Sequence, residues 1–143
     1  MPGILVGLDG SDSSQHALEW AVKHAALEHA PLTVLAVHEV AASAWTGNPI
    51  IYPADRPAEE QARQAAQEAV NKTISELGSA GPESVTVRAV SGQPAQALIE
   101  ASGDADLVVV GSRGAGGFAT LLTGSVSSKV VNHAACPVVV VRH

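Results

Sequence analysis

The sequence contains little cysteine, few aromatic residues and no excess of positive charge, and each shortage excludes a kind of protein. One cysteine among 143 residues excludes an internal disulfide and a metal site built from several cysteines, and it suits a reducing compartment. The net charge of −6 argues against nucleic acid or an anionic membrane surface as a partner, because both require a basic face. The apolar runs are all shorter than the roughly 18 residues of a transmembrane helix, and the first residues, MPGILVGLDG, lack the basic start of a signal peptide. We therefore expect a cytoplasmic protein.

The composition of the apolar residues indicates how the core is built. Hydrophobic residues make up 46% of the chain but aromatic residues only 3%, so Ala, Val, Leu and Ile must fill the core. The length is typical of one domain, and we expect residues 1–143 to form a single domain. Cys136 stands between an alanine and a proline and is interpreted as a small apolar residue. The six histidines show no spacing typical of a metal site.

Acidic residues are absent from the last part of the chain. All 14 of them lie at or before Asp106, whereas residues 107–143 carry Arg113, Lys129 and Arg142. An anionic ligand would therefore meet the least electrostatic repulsion in this region.

The same region contains the stretch LVVVGSRGAGGFATLLTGSVSSK, residues 107–129. Its first four residues are apolar and mostly β-branched, which is typical of a strand buried on both faces. A glycine loop follows, and a helical pattern begins at Ser125. The unpaired N–H groups and partial positive charge of a helix start suit a phosphate group. The alternative is a mobile glycine loop closed by an ordinary serine N-cap.

Two common glycine motifs fit this stretch poorly. A Walker-type loop requires a glycine followed directly by Lys and then Ser or Thr, and no such triplet occurs. Residues 114–119 match a relaxed dinucleotide fingerprint, but the acidic residue expected about 20 positions later is missing after Asp106.

Five predicted strands alternate with four predicted helices along the chain, which predicts a doubly wound α/β fold with a five-stranded parallel sheet and helices on both faces. The predicted strands are Ile4–Leu8, Leu32–Val37, Val85–Val90, Leu107–Val110 and Pro137–Val141. The predicted helices follow a cap at Ser11 or Ser13, span Ala58–Leu77, run from Pro94 to about Ala101, and begin at Ser125. Their apolar spacing places Ala65 on the buried face of the second helix, Val131 in the apolar stripe of the last one and Trp20 at the flank of the first. The connection Val40–Pro57 is long and apolar, and we leave open whether it covers a ligand, joins subunits or packs locally.

Asp9 is the charged residue that follows the first predicted strand. Ligands of open α/β sheets bind at this carboxyl end, so the carboxylate could hold a ribose hydroxyl or a cation that bridges phosphates. It could instead cap the turn at Gly10 as an Asx residue. Both roles remain open at this point.

The glycine spacing resembles a known family. Gly111, Gly114, Gly124 and Ser125 fit the pattern G-x-x-G, nine residues, then G-[ST], which is similar to the ATP-binding branch of the universal stress protein family. The stretches VGLDGSDSS, VLAVHEV and CPVVVV resemble that family in the same order, so the resemblance extends from Ile4 to Val141.

This resemblance implies a strand order of 3-2-1-4-5, with ATP, and Mg carried by its phosphates, at the switch point between the first and fourth strands. It places the base of the nucleotide against the main chain of Val37. It also places Asp9 near the metal, with an indirect contact through the Mg bound to the phosphates. The implied ligand-binding residues are Asp9, Val37, Gly111, Ser112, Arg113, Gly114, Gly124, Ser125 and Val126.

The resemblance also implies a homodimer through Pro137–Val141, which agrees with the tendency of an exposed apolar edge strand to pair with another chain. A regulatory ATP-binding protein with little or no turnover is the leading hypothesis, because no nucleophile motif occurs and Asp9 is the one candidate base. The alternatives are a slow ATPase or self-phosphorylating enzyme, and a cyclic-nucleotide-binding or ligand-free dimeric scaffold.

Overall fold

The computed structural model describes residues 3–39, 55–78, 80–112 and 125–142. Their order is β1 (Ile4–Leu8), α1 (Asp12–Glu28), β2 (Pro31–Glu39), α2 (Asp55–Leu77), β3 (Ser84–Gly92), α3 (Pro94–Ser102), β4 (Leu107–Gly111), α4 (Ser125–His133) and β5 (Val138–Val141). The strands form one sheet in the order β3-β2-β1-β4-β5, and every neighbouring pair is parallel. The predicted fold class and strand order are confirmed.

Two apolar layers cover the faces of the sheet. Because side chains alternate along a strand, neighbouring residues of each buried strand contribute to opposite layers. One layer packs under α1 and α2 and includes Val6, Val34 and Val109. The other packs under α3 and α4 and includes Leu35 and Val108. Burial on both faces explains why β1 and β4 at the centre of the sheet are almost continuously apolar in sequence.

The start of α2 corrects a boundary predicted from the sequence. The helix begins at Asp55, so the last three residues of the predicted connection Val40–Pro57 are helical, and residues 40–54 lie outside the described residues. Pro57 is the third residue of the helix. Proline is tolerated in the first turn because an N–H there has no intrahelical acceptor, and the prediction was wrong because it treated this proline as a loop residue.

The buried faces of two helices also differ from the predicted ones. Ala65 was expected on the buried face of α2 but is exposed, and Val131 was expected on the apolar stripe of α4 but is 44% exposed. The stripe of α4 instead contains Val126 and Val130. Trp20 lies at the flank of α1, as predicted, and stacks on His24 with ring centroids 4.7 Å apart. Among the described residues, no helix is both long and apolar enough to span a membrane.

The end of α3 is joined to the start of the last strand at the amino edge of the sheet. Ser102 is 1% exposed. Its hydroxyl donates to the main-chain oxygen of Ile99 at 2.6 Å and accepts from the main-chain nitrogen of Ala135 at 2.9 Å. The main-chain nitrogen of Asp106 also donates to the main-chain oxygen of Gly3 at 2.8 Å. These contacts lie at the edge of the sheet opposite the carboxyl ends of the strands.

Candidate functional site at the switch point

The sheet opens between β1 and β4 at its carboxyl edge. Their paired register ends at Val6 and Val109, although β1 continues to Leu8 and β4 to Gly111. The chain leaves β1 toward β2 on one side and reaches β4 on the other, which makes this the switch point of the doubly wound sheet. Crevices at such points are where open α/β sheets bind ligands.

The end of β2 extends past β1 on the other side of this crevice. The last residue of β1, Leu8, pairs with Ala36, whereas β2 continues to Glu39 opposite Gly92 of β3. Within the described part of the chain, the register of β2 with β1 therefore ends at Ala36, directly before Val37. Main-chain N–H and C=O groups at the end of a strand need a hydrogen-bond partner, and Val37 is the position at which the resemblance implies main-chain contact with a base.

A small pit occupies the crevice and brings together four of the residues predicted for the site. Its volume is about 40 Å³. The predicted residues that line it are Asp9, Val37, Gly111 and Val126. The sequence analysis did not assign its other lining residues, which are Gly7, Leu8, Ser14, Leu35, Pro94, Leu98, Val110 and Ser127.

Asp9 forms the polar rim of the pit and is exposed. Its carboxylate Oδ1 accepts a hydrogen bond from the main-chain nitrogen of Ser11 at 2.9 Å, and Gly10 has a positive φ of 84°. The Asx turn that the sequence left open is therefore present. A carboxylate has about four acceptor sites on two oxygens, so the turn leaves acceptor capacity for a ligand.

Gly111 is required at the end of β4 by a close approach of α1. A Cβ atom at this position would overlap the hydroxyl of Ser13 and lie 2.7 Å from both the main-chain carbon and oxygen of that residue. The described glycines with positive φ are Gly10, Gly78 and Gly92, so space and not backbone conformation requires glycine at 111. Because Gly111 has no side chain, the first turn of α1 can lie close to the edge of the crevice.

Gly7 and Leu98 form the apolar base of the pit. A Cβ atom on Gly7 would lie 2.8 Å from Cδ1 of Leu98, so the glycine lets α3 pack closely on β1. Glycine inside a strand pattern can indicate such an approach, and this signal could have identified Gly7 from the sequence. Leu98 is a buried helix residue and carries no comparable signal.

Of the other residues predicted for the site, the structure describes Ser112 and Ser125. Ser112 is buried, and its main-chain nitrogen donates to the oxygen of Val141 at 3.0 Å, so this N–H is engaged in extending the pairing of β4 with β5. Ser125 begins α4 as predicted, and its side chain is not among those described. Arg113, Gly114 and Gly124 lie outside the described residues.

A larger groove of about 1090 Å³ borders the pit. It runs beside α3 and α4 and shares Leu35, Pro94 and Val126 with the pit. Charged residues of both signs line the groove, among them Lys129 and Glu100. The pit has room for about one water molecule by volume, so a larger ligand anchored there would have to extend out of it.

The titratable groups near the pit form no dedicated metal site. Among the described residues there is no group of three or more His, Cys, Asp or Glu side chains that could hold a metal ion.

Away from the pit, burial raises the pKa of the Cys136 thiol, and the negative charge of Asp106 raises it further. A neutral, partly buried thiol agrees with the interpretation of Cys136 as an apolar residue.

The strand order and the pit at the carboxyl ends define a doubly wound α/β protein with a ligand crevice at its switch point. A model of the universal stress protein family matches residues 2–142. The universal stress protein Rv2005c of Mycobacterium tuberculosis (strain ATCC 25618 / H37Rv) is 39% identical over 142 residues, which cover 98% of this chain and 48% of the relative. This chain belongs to the universal stress protein family, and it spans about half the length of the curated relatives it matches.

Solved structures of the family share the fold over nearly the whole chain. The universal stress protein UspA from Lactobacillus plantarum is 27% identical, with a TM-score of 0.75, and the match covers 99% of this chain and 97% of that one. A universal stress protein in complex with cAMP is 28% identical, with a TM-score of 0.69, and the match covers 99% and 96% of the two chains.

Proposed function

We propose that this protein binds ATP in the crevice between β1 and β4 and acts as a regulatory nucleotide-binding protein with little or no turnover. The observation that carries the proposal is the convergence on one pit of Asp9, Val37, Gly111 and Val126, which come from the turn after β1, from β2, from β4 and from α4. Membership of the family supports a nucleotide as the ligand, since one structural neighbour was solved in complex with cAMP.

Each end of the crevice suits a different part of a nucleotide. The main chain of Val37, which lies just beyond the register of β2 with β1, is placed to offer a donor and an acceptor to the edge of a base. The first turn of α4, which begins at Ser125, offers N–H groups and a partial positive charge to the phosphates. The glycines that resemble the family motif precede this turn, and no acidic residue follows Asp106 to oppose the phosphate charge.

Asp9 suits contact with the ribose or with a magnesium ion carried by the phosphates. Mg²⁺ in nucleotide sites keeps several waters and is held by one or two carboxylates together with phosphate oxygens. A single exposed carboxylate with acceptor capacity to spare fits such an indirect role. Bound Mg²⁺ would neutralise phosphate charge, and the other residues of the crevice would hold and orient the nucleotide.

Mass spectrometry of the ligand released from freshly purified protein tests which nucleotide is bound. We expect ATP. AMP or cAMP as the released ligand would replace ATP in the proposal, and a ligand-free protein that also fails to bind ATP, AMP or cAMP in calorimetric titration would refute it. Release of ADP from added ATP above the background of an Asp9→Ala variant would contradict the absence of turnover.

A charge placed at the start of α4 tests the position of the phosphates. Ser125→Glu adds negative charge and bulk where the phosphates are expected, so ATP affinity should fall at least tenfold, which corresponds to about 1.4 kcal/mol. Asn132→Glu is the control, because it adds the same charge to an exposed position near the other end of the same helix. Equal ATP affinity of the two variants would contradict the placement.

We further propose that the protein forms a homodimer through β5. This strand is an edge of the sheet, and each of its four valines is only partly buried. An apolar edge with free main-chain groups favours pairing with a second chain. Sedimentation measurements should give a dimer for the natural protein and a monomer for Val140→Lys, and a monomeric natural protein at working concentration would refute the proposal.

A further inference from the structure

The turn that carries Asp9 is anchored by a buried serine of α1. Between the end of β1 at Leu8 and the start of α1 at Asp12, the chain has three residues to reverse its direction. Ser14, in the first turn of the helix, is 4% exposed and lines the pit beside Asp9. Asp9 itself is exposed, so nothing in its own burial fixes its position.

Four hydrogen bonds join Asp9, Ser11 and Ser14 into one network. The hydroxyl of Ser14 accepts from the main-chain nitrogen of Asp9 at 3.3 Å and donates to the main-chain oxygen of Ser11 at 2.9 Å. The main-chain nitrogen of Ser14 donates to the hydroxyl of Ser11 at 3.1 Å, and that of Ser11 donates to the carboxylate of Asp9 at 2.9 Å. The main chain and the carboxylate of Asp9 are therefore both restrained.

Ser11 and Ser14 have different structural roles in this network. Ser11 is the N-cap of α1, so its removal would disturb the helix as well as the turn. Ser14 links a buried position of the helix to the main chain of Asp9. The neighbouring Ser13 packs closely against Gly111 of β4, so the first turn of α1 is itself held against that strand.

We propose that Ser14 is a positioning residue that acts through Asp9, which it holds in the orientation needed to contact the nucleotide. This inference rests on the proposed function. A restrained carboxylate loses less conformational freedom when the ligand binds, and the gain appears as affinity. The bond from Asp9 to Ser14 is long for an N–H···O contact, so the effect is expected to be moderate.

A double-mutant cycle tests this coupling, with ATP affinity measured by calorimetry in the presence of Mg²⁺. Ser14→Ala should weaken ATP binding about threefold to tenfold, the range expected for one net hydrogen bond. In the Asp9→Ala background the same change should have almost no further effect, because Ser14 acts through Asp9. Ser14→Cys keeps the shape of the side chain but replaces the hydroxyl with a weaker hydrogen-bonding thiol, and it replaces the alanine variant if that variant fails to fold.

Ser102→Ala is the matched control. Ser102 is also a buried serine whose hydroxyl donates one hydrogen bond and accepts another, but it lies at the opposite edge of the sheet. We expect it to lower the melting temperature without changing ATP affinity, which separates lost stability from lost positioning.

Amide hydrogen exchange supplies a second readout that requires no ligand. Ser14→Ala should accelerate exchange at the main-chain nitrogen of Asp9, whereas Ser102→Ala should not. Unchanged exchange at Asp9, or an equal loss of ATP affinity from Ser14→Ala in both backgrounds, would overturn the inference while the natural protein still binds ATP. A natural protein that binds no nucleotide would instead refute the proposed function itself, and the positioning role with it.

Discussion

The close approach of α1 to β4 predicts that Gly111→Ala is destabilising for a reason that the sequence does not show. The new Cβ atom would lie 2.7 Å from the main-chain carbon and oxygen of Ser13. A side chain could rotate away, but these are backbone atoms in the first turn of a packed helix, so α1 would have to shift. Overpacking of this kind costs about 1–3 kcal/mol. For a domain of this size that corresponds to a fall in melting temperature of about 3–10 °C.

Thermal unfolding followed by circular dichroism, with Gly103→Ala as the control, tests this reasoning. Gly103 has an ordinary φ of −61°, and a Cβ atom there would meet its nearest neighbour, the oxygen of Glu100, at 3.7 Å. We expect the control to melt close to the natural protein. Adding Ser13→Ala to Gly111→Ala should recover less than half of the loss, because the main chain of Ser13 remains. Melting of Gly111→Ala within about 1 °C of the control, well below the shift expected for 1 kcal/mol, would refute the steric argument.

Three further predictions concern residues outside the crevice. Ser102→Ala should lower the free energy of unfolding by about 1 kcal/mol, since it removes a buried hydroxyl with two hydrogen bonds, and denaturant unfolding measures this. Asp106→Asn should speed the alkylation of Cys136 at pH 8, since it removes the charge that helps to raise the pKa of the thiol, and an unchanged rate would contradict this cause. Because that pKa is raised in the folded protein, the thiol's contribution to stability is complete below its ordinary value of 9.0 and is lost as the pH rises through the folded pKa. Arg63→Ala should leave the melting temperature almost unchanged, because its ion pair with Glu60 is exposed to solvent.

The architecture could be predicted well from the sequence because its signals are local. Each buried parallel strand appears as a short continuous apolar run, and each helix as a repeating apolar face. The range Ile4–Leu8 was predicted without error, and the start of α4 at Ser125 was also correct. The errors lie at boundaries and on helix faces, where proline in a first turn and the position of a neighbouring helix override the pattern, as for Pro57 and Val131.

The candidate site could be predicted only in part. Asp9 and Gly111 carry recognisable signals, a carboxylate after a strand and a glycine motif, and both line the pit. Ser112 was predicted as a ligand-binding residue from the family resemblance, but its main-chain N–H donates to the oxygen of Val141. Ser14 and Leu98 were missed, because a serine in a helix and a leucine on a buried face are common in every α/β protein.

The sequence by itself determined the alternation of strands and helices and the family resemblance, and it led us to expect a ligand at the carboxyl edge of the sheet, because all of these depend on neighbours along the chain. Only the tertiary structure decided why position 111 must be glycine, which residues form the pit and how Asp9 is held. These properties depend on contacts between elements distant in sequence, such as Ser13 against Gly111 and Leu98 against Gly7. Such contacts are set by close packing between elements, and a local sequence pattern does not indicate them.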